Sequence, residues 1–246
     1  MKIISWNCAG AFRRKFSALT EFGADLLVIQ ECEDPARGGT GGRSGRGRSD
    51  FRAYREFAGE NYVWSGGNPN RGLAVFAPKG LPLKKLRWRD RGLAMFLPVR
   101  VDDRFNLINV WTKDASRRSH RYVGQLARYL GHHGRKIAKG EHVICGDFNS
   151  HVQWDGQFKA ANHSTVVAHL ARLGLDSLYH HDRGLSQGQE PDPTFYLYRD
   201  IAKPYHLDYA FASRNFLGRH DSYICDPAHW LTHSDHMPLV FSLRSD

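Results

Sequence analysis

The chain has 246 residues, 41% of them hydrophobic, with 35 Lys and Arg against 25 Asp and Glu, a formal net charge of +10. That is enough apolar material for one large core, and single domains of this length are routine among β-rich folds. The basic excess says nothing about the fold but points to polyanionic partners, nucleic acid ahead of an acidic membrane surface.

The cysteines, Cys8, Cys32, Cys145 and Cys225, are scattered, form no CxxC pair and mostly sit in or beside strand-like apolar runs, which argues against a zinc knuckle or a disulfide framework. No apolar run approaches membrane-spanning length, and "IISWNCAG" near the start is too short and polar for a secretory h-region. A reducing, cytoplasmic setting is expected.

In chain order, "KIISWNC" alternates as a strand does, and Phe12, Phe16, Leu19 and Phe22 recur at helical spacing before Gly23. "DLLVIQE" is a second apolar strand. Residues 36–56 are rich in Gly and Arg and read as a long loop or disordered insertion. Its residues Arg37, Arg43, Arg46, Arg48, Arg52 and Arg55 would make it a basic arm that follows a phosphate backbone. "GLAVFAP", "LAMFLPVRV" and "FNLINVW" are strand-like. A helix is expected from about residue 116 to 130, with Tyr122, Leu126 and Tyr129 on one stripe. "HVICGD" is the next strand. A helix through Val166, Val167, Leu170 and Leu173 ends at Gly174, and the last third returns to strands in "TFYLY", "HLDYAFA" and "PLVFSL". This pattern predicts an α+β fold of stacked sheets with helices outside, in a single domain over residues 1–246.

Several of these strands end in a polar residue: Asn7, Glu31, Asp147 with Asn149, Asp208, and Asp235 with His236 before the last strand. Structural explanations exist for each. Asn7 would cap the next helix, Glu31 would be a solvated loop acid, Asp147 and Asn149 an Asx-turn, and Asp208 a partner of His206. The alternative is one cleft, since residues i and i+2 of an extended segment point to the same side.

The order and context of these residues resemble the endonuclease/exonuclease/phosphatase family. "SWN" near the start, "QE" at 30–31, "GDFN" at 146–149, "HLDYAF" and "SDHMPL" at 234–239 carry the resemblance over almost the whole chain. It implies a four-layer α/β/β/α sandwich, with two central, mostly antiparallel sheets and helices on the outer faces.

Hydrolysis of a phosphodiester requires the anionic oxygens to be shielded, a water to be activated and the leaving oxygen to be stabilised. A hard divalent cation serves the first and third needs and takes oxygen ligands. The expected cofactor is Mg²⁺, with Mn²⁺ as the alternative, held by Glu31 and Asn7 with Asp235 as an additional acid. The resemblance implies that Asp147 orients or deprotonates the attacking water and that Asn149 donates to the scissile phosphate. His236, paired with Asp208, would stay charged and bind or protonate a phosphate oxygen.

Two positions depart from the family pattern. Trp111 stands where a His or Tyr usually reaches the phosphate, and an indole transfers no proton at neutral pH. Its one N–H could still donate to phosphate; otherwise Trp111 packs and a neighbour such as Lys113 makes the contact, or the site works with fewer groups. Ala9 stands where the abasic-site branch carries an acid. Basic residues near the expected site (Arg13, Arg14 and Lys15; Arg117, Arg118 and Arg121) favour contact with a nucleic-acid backbone, with Arg13 and Arg14 as phosphate contacts. The expected function is divalent-metal-dependent hydrolysis of nucleic acid, led by a DNA endonuclease of low sequence specificity. The alternatives are a phosphatase or lipid/inositol-phosphate phosphodiesterase of the same fold, and a catalytically impaired nucleic-acid-binding protein.

Overall fold

A computed structural model describes residues 1–36, 45–89, 91–93, 95–115, 121–157 and 161–244. Runs of β-branched, aliphatic and aromatic residues make the strands. In chain order the first half contains β1 (Lys2–Asn7), β2 (Leu26–Cys32), α1 (Gly45–Ala58), β3 (Tyr62–Asn68), β4 (Arg71–Phe76), β5 (Leu83–Lys85), β6 (Phe96–Val101) and β7 (Phe105–Trp111). Next come α2 (Val123–Ile137), β8 (His142–Asp147), α3 (His163–Arg172), β9 (Leu175–Ser177) and α4 (Leu178–Arg183). The last third holds β10 (Phe195–Tyr196), β11 (Pro204–Tyr205), β12 (Asp208–Ser213), β13 (His220–Ile224), α5 (Pro227–Trp230) and β14 (Leu239–Leu243).

Two six-stranded sheets result, in the orders β13-β14-β1-β2-β4-β3 and β5-β6-β7-β8-β12-β9. Each has a single parallel pair, β1 with β2 and β7 with β8, and is otherwise antiparallel. Three cores define four layers. Val28, Val75, Leu107, Val143 and Phe241 fill the space between the sheets. Phe12, Tyr54 and Trp230 cover the outer face of the first sheet, and Leu126, Leu130 and Leu170 that of the second. A sheet covered on both faces needs strands apolar on both sides, which is why every residue of β2 is buried. Each fully buried side chain of this kind stabilises the fold by about 1.5–3 kcal/mol.

Polar side chains also meet in the central core. Asn109 of β7, fully buried, donates from Nδ2 to the carbonyls of Ile29 and Ala74 at 3.0 and 2.9 Å. Its Oδ1 accepts from Gln30 Nε2 at 2.8 Å, so the two sheets are joined by three hydrogen bonds. In a low-dielectric interior such a fully paired carboxamide fixes how the sheets register.

The structure corrects several sequence expectations. The apolar spacing after β1 serves two 3₁₀ turns, Phe12–Arg14 and Phe16–Phe22, because Lys15 interrupts the helical backbone. Within residues 36–56, the part from Gly45 is helix: Phe51, Tyr54, Phe57 and Ala58 recur at helical spacing and pack on the first sheet. Arg52 of that helix pairs with Glu56 and Arg55 donates to the Pro35 carbonyl, while Arg37 and Arg43 lie outside the described residues. The helix expected from 116 starts only at Val123, after Tyr122 with φ of 47°, and Arg117 and Arg118 lie outside the described residues. "TFYLY" pairs as a strand over Phe195–Tyr196 only, since Tyr198 and Arg199 turn to φ of 60° and 57°. The four cysteines are buried and unpaired, as their spacing implied. Among the described residues, no helix is long and apolar enough to cross a membrane.

Candidate active site

Strand direction brings the polar residues together. β1, β2, β7 and β8 end on one rim of the sandwich, and β12, antiparallel to β8, begins there. The segment before β14 reaches the same rim because β14 runs antiparallel to β1. The register places Asp147 beside Asp208 on one side and beside Trp111 on the other. Asn7 is paired with Gln30, one residue before Glu31.

Side-chain contacts then run continuously from Glu31 to Asp208. Asn7 Nδ2 lies 3.3 Å from Glu31 Oε1 and 2.9 Å from Asp147 Oδ2. His236 Nε2 is 3.8 Å from Asp147 Oδ2, and its Nδ1 is 2.8 Å from Asp208 Oδ2. Asp235 stands at the edge, its Oδ1 accepting from Ser234 Oγ at 3.3 Å, and the same hydroxyl donates to the Asn7 carbonyl at 2.8 Å.

The backbone is bent to achieve this. Gly146 has φ of 135°, and a Cβ there would lie 2.0 Å from the Val110 carbonyl oxygen, so only glycine passes β7 at this point. Asn149, at φ of 45°, closes an Asx-turn by donating its N–H to Asp147 Oδ1 at 2.8 Å. Its Nδ2 donates to both Asp147 Oδ2 and the Thr112 carbonyl, each at 2.8 Å. Both amide hydrogens are therefore in use, and Asn149 holds Asp147 in place rather than pointing a free donor outward. Glu31 is turned into the site by a bulge in β2, with φ of 64°.

Three further outcomes differ from the sequence expectations. Asn7 presents its nitrogen, not its oxygen, to the carboxylates, because its Oδ1 accepts the Ala9 N–H at 3.0 Å. His206 does not neutralise Asp208; it binds the Asp192 carbonyl through Nδ1 at 2.8 Å, and His236 takes that role. Arg13 is paired with buried Glu33 and lies over the Phe51 ring, while Arg14 pairs with Asp50 at 2.8 Å, so neither guanidinium is without a carboxylate.

Sequence reasoning also missed residues. Thr194 is fully buried, and its Oγ1 accepts the N–H groups of Leu207 and Asp208 at 2.8 and 2.9 Å. Its carbonyl accepts the Met237 N–H at 2.7 Å, which ties the Asp208 and His236 segments together. The Phe195 ring lies 4.6 Å from the His236 ring. Arg71, at the start of β4, binds Glu31 Oε2 through Nε and Nη2. Nothing local marks Thr194 or Arg71, since both follow turn-like sequence.

The electrostatics follow from burial and proximity. Burial alone would discharge His236, yet the carboxylates of Asp208 and Asp147 outweigh it and raise the imidazole to about 10. Burial raises Asp147 to about 7, with His236 pulling it down, Asp208 pushing it up, and Asn7 and the Asn149 N–H favouring the anion. The ligand-bearing atoms of Asp147, Asp208 and His236 lie within 4.8 Å of one another. Such a group can hold a carboxylate ready to take a proton beside an imidazolium ready to give one.

The family and the fold are shared with known proteins. A model of the Endonuclease/Exonuclease/phosphatase family matches residues 4–236. Solved structures with the same fold include an AP endonuclease from Archaeoglobus fulgidus, 18% identical with a TM-score of 0.71 over 100% of both chains. A 3'-5' exonuclease from Neisseria meningitidis is 18% identical with a TM-score of 0.66 over 100% of both chains. The endonuclease domain of the telomere-specific retrotransposon TRAS1 is 18% identical with a TM-score of 0.62, covering 99% of this chain and 97% of that one. No curated protein matches the sequence. The chain belongs to the Endonuclease/Exonuclease/phosphatase family and is a hydrolase acting on phosphoester bonds.

Proposed function

We propose that the chain hydrolyses phosphodiester bonds in nucleic acid with a divalent metal, as a DNA endonuclease of low sequence specificity. The observation that carries this reading is the unbroken run of contacts from Glu31 through Asn7, Asp147 and His236 to Asp208. Asp147 orients the attacking water and takes its proton, since burial makes it more basic than a free carboxylate. Asn149 positions Asp147. His236 directs Nε2–H toward a phosphate oxygen, while Asp208 holds Nδ1 and preserves the positive charge.

The donor set fits a hard cation, because Glu31 turns a carboxylate to the rim and no His or Cys contacts it among the described residues. Glu31 would hold the ion, with Asn7 orienting its carboxylate and Asp235 the further acid on the same rim. When bound there, Mg²⁺ or Mn²⁺ would supply charge neutralisation for the phosphate and for the departing oxygen.

The formal charge of +10 favours a polyanionic substrate over a small phosphomonoester. A similar structure, described as a 3' phosphatase from Neisseria bound to product DNA hairpin, supports DNA as the polymer. Ala9, in place of the acid of the abasic-site branch, argues against specificity for abasic sites.

The test is a parallel digest of supercoiled plasmid, linear duplex, single strands, RNA and a 3'-phosphorylated duplex, with Mg²⁺, Mn²⁺ or chelator. Metal-dependent nicking of closed circles is expected, since an exonuclease needs an end. Hydrolysis of a phosphoinositide with plasmid left intact overturns the reading, as does salt-sensitive DNA binding without turnover.

A further inference from the structure

Arg71 is the cation closest to the proposed metal ligand, and its position follows from two backbone irregularities. β2 bulges between Gln30 and Cys32, and the register resumes with Cys32 opposite Gly72. Gly72 is confined by the Trp64 ring, which a Cβ would approach to 2.4 Å, and by the Ser65 carbonyl at 2.6 Å. The bulged Glu31 therefore faces Arg71, whose Nε donates to Glu31 Oε2 at 2.8 Å with Nη2 on the same oxygen. The partners differ in freedom: the Arg71 side chain is 54% exposed, that of Glu31 only 11%. The guanidinium can therefore swing into solvent while the carboxylate stays fixed.

The same guanidinium lies 5.7 Å from the centre of the Trp111 ring, and Lys113 Nζ lies 5.0 Å from it. Trp111 is the register partner of Asp147, so the ring that both cations face belongs to the strand position next to the group placed to activate water. Trp111 is 7% exposed and packs into the central core, where it acts as a platform rather than a proton donor.

We propose that Arg71 exchanges between two anions, the Glu31 carboxylate in the metal-free protein and a substrate phosphate once a divalent cation takes Glu31. This rests on the proposed phosphodiesterase reading for its second half only. A single carboxylate oxygen cannot satisfy a guanidinium and a divalent ion equally, so the ion displaces Arg71 toward the Trp111 side. There, with Lys113, it supplies the phosphate contact that an indole cannot. Metal and substrate binding are then coupled through Arg71, and the coupling is reciprocal.

The experiment compares wild type with Arg71→Gln and Arg71→Lys. Mn²⁺ binding to protein alone is followed by electron paramagnetic resonance. Binding of a fluorescent phosphorothioate duplex, verified intact on a gel, is followed by anisotropy with and without Mn²⁺. Arg71→Gln is expected to tighten Mn²⁺ binding about threefold or more, the scale of a half-exposed ion pair, and to weaken duplex binding in Mn²⁺. The factor by which Mn²⁺ strengthens duplex binding should fall about threefold or more in Arg71→Gln, within the usual range of coupling between sites. Arg71→Lys, with its charge but no fork, should fall between. A merely structural Arg71 predicts weaker Mn²⁺ binding in Arg71→Gln, and a static surface charge predicts an unchanged coupling factor; either result overturns the proposal. If no nucleic acid is cleaved or bound, the Mn²⁺ titration still reads the Glu31 half, and inorganic phosphate replaces the duplex as the second probe.

Discussion

Asp208 Oδ2 and His236 Nδ1 meet at 2.8 Å with both side chains buried, although the residues are 28 positions apart in sequence. The pair acts as one unit, since Asp208 contributes both the leading charge and the hydrogen bond that keep the proton on the imidazole. His236→Ala is expected to lower turnover roughly 10²–10⁴-fold, the usual worth of a positioned acid–base group. Asp208→Asn, which removes the charge and keeps the shape, should reproduce most of that loss. The double variant should be little worse than either single one in steady-state kinetics. Losses that multiply would show that the two residues work independently.

Glu31 is expected to govern metal affinity rather than fold. Glu31→Gln should raise the Mg²⁺ concentration for half-maximal activity roughly tenfold or more, with little change in thermal midpoint, because only a half-exposed ion pair is lost. A metal titration of activity beside a melting curve checks both parts. Unchanged metal dependence would remove Glu31 from the proposed ion site.

Asn109 offers a stability prediction independent of catalysis. Asn109→Ala leaves the Gln30 amide without its inter-sheet acceptor and opens a small cavity between the sheets. The expected cost is about 1–3 kcal/mol, from three buried hydrogen bonds between the sheets that are lost together. Urea unfolding at neutral pH measures it, and a loss below about 0.5 kcal/mol, the scale of ordinary surface substitutions, would contradict the clamp.

The rim residues were legible in the sequence through their joint order and context, since each alone, a polar residue at the end of an apolar run, had a structural explanation. Asp147, Asn149, Asp208 and His236 are of this kind, and the sheet topology then joins them. Arg71 was not legible, because its value depends on a bulge in a different strand that turns Glu31 toward it. Thr194 was hidden for a related reason: "DPTFY" reads as a loop, and its hydroxyl matters only after folding brings Leu207 and Asp208 to it. Asn109 was not legible because it shares its phase with Phe105, Leu107 and Trp111, which face the central core, and its partners lie in the other sheet. The helix α1 was missed because the Gly and Arg content of residues 36–56 outweighed the periodicity of Phe51, Tyr54 and Phe57.

Glu190 gives a pH dependence whose sign can be worked out. Its side chain is 1% exposed, with Oε2 at 3.1 Å from His151 Nε2 and Oε1 at 2.8 Å from His180 Nε2. The Gly188 N–H also donates to Oε1, at 2.9 Å. Burial opposes the charge, but the hydrogen bonds from His151, His180 and the backbone outweigh it and hold the carboxyl far below its ordinary 4.5. The unfolded chain therefore binds this proton more readily than the folded one. The stabilisation is fully present above about pH 4.5, the ordinary glutamate value, and is lost as pH falls below it. Glu190→Gln should cost about 1.5–3 kcal/mol at pH 7, the scale of hydrogen bonds to a charged group. The gap from wild type should narrow steadily as urea melts are repeated from pH 5 down to about pH 3. His151 follows Asn149 and Ser150, whose Oγ meets His163 Nδ1 at 3.0 Å, so the same network braces the turn that holds Asp147. A gap that stays constant with pH would mean that Glu190 contributes through packing and not through its charge.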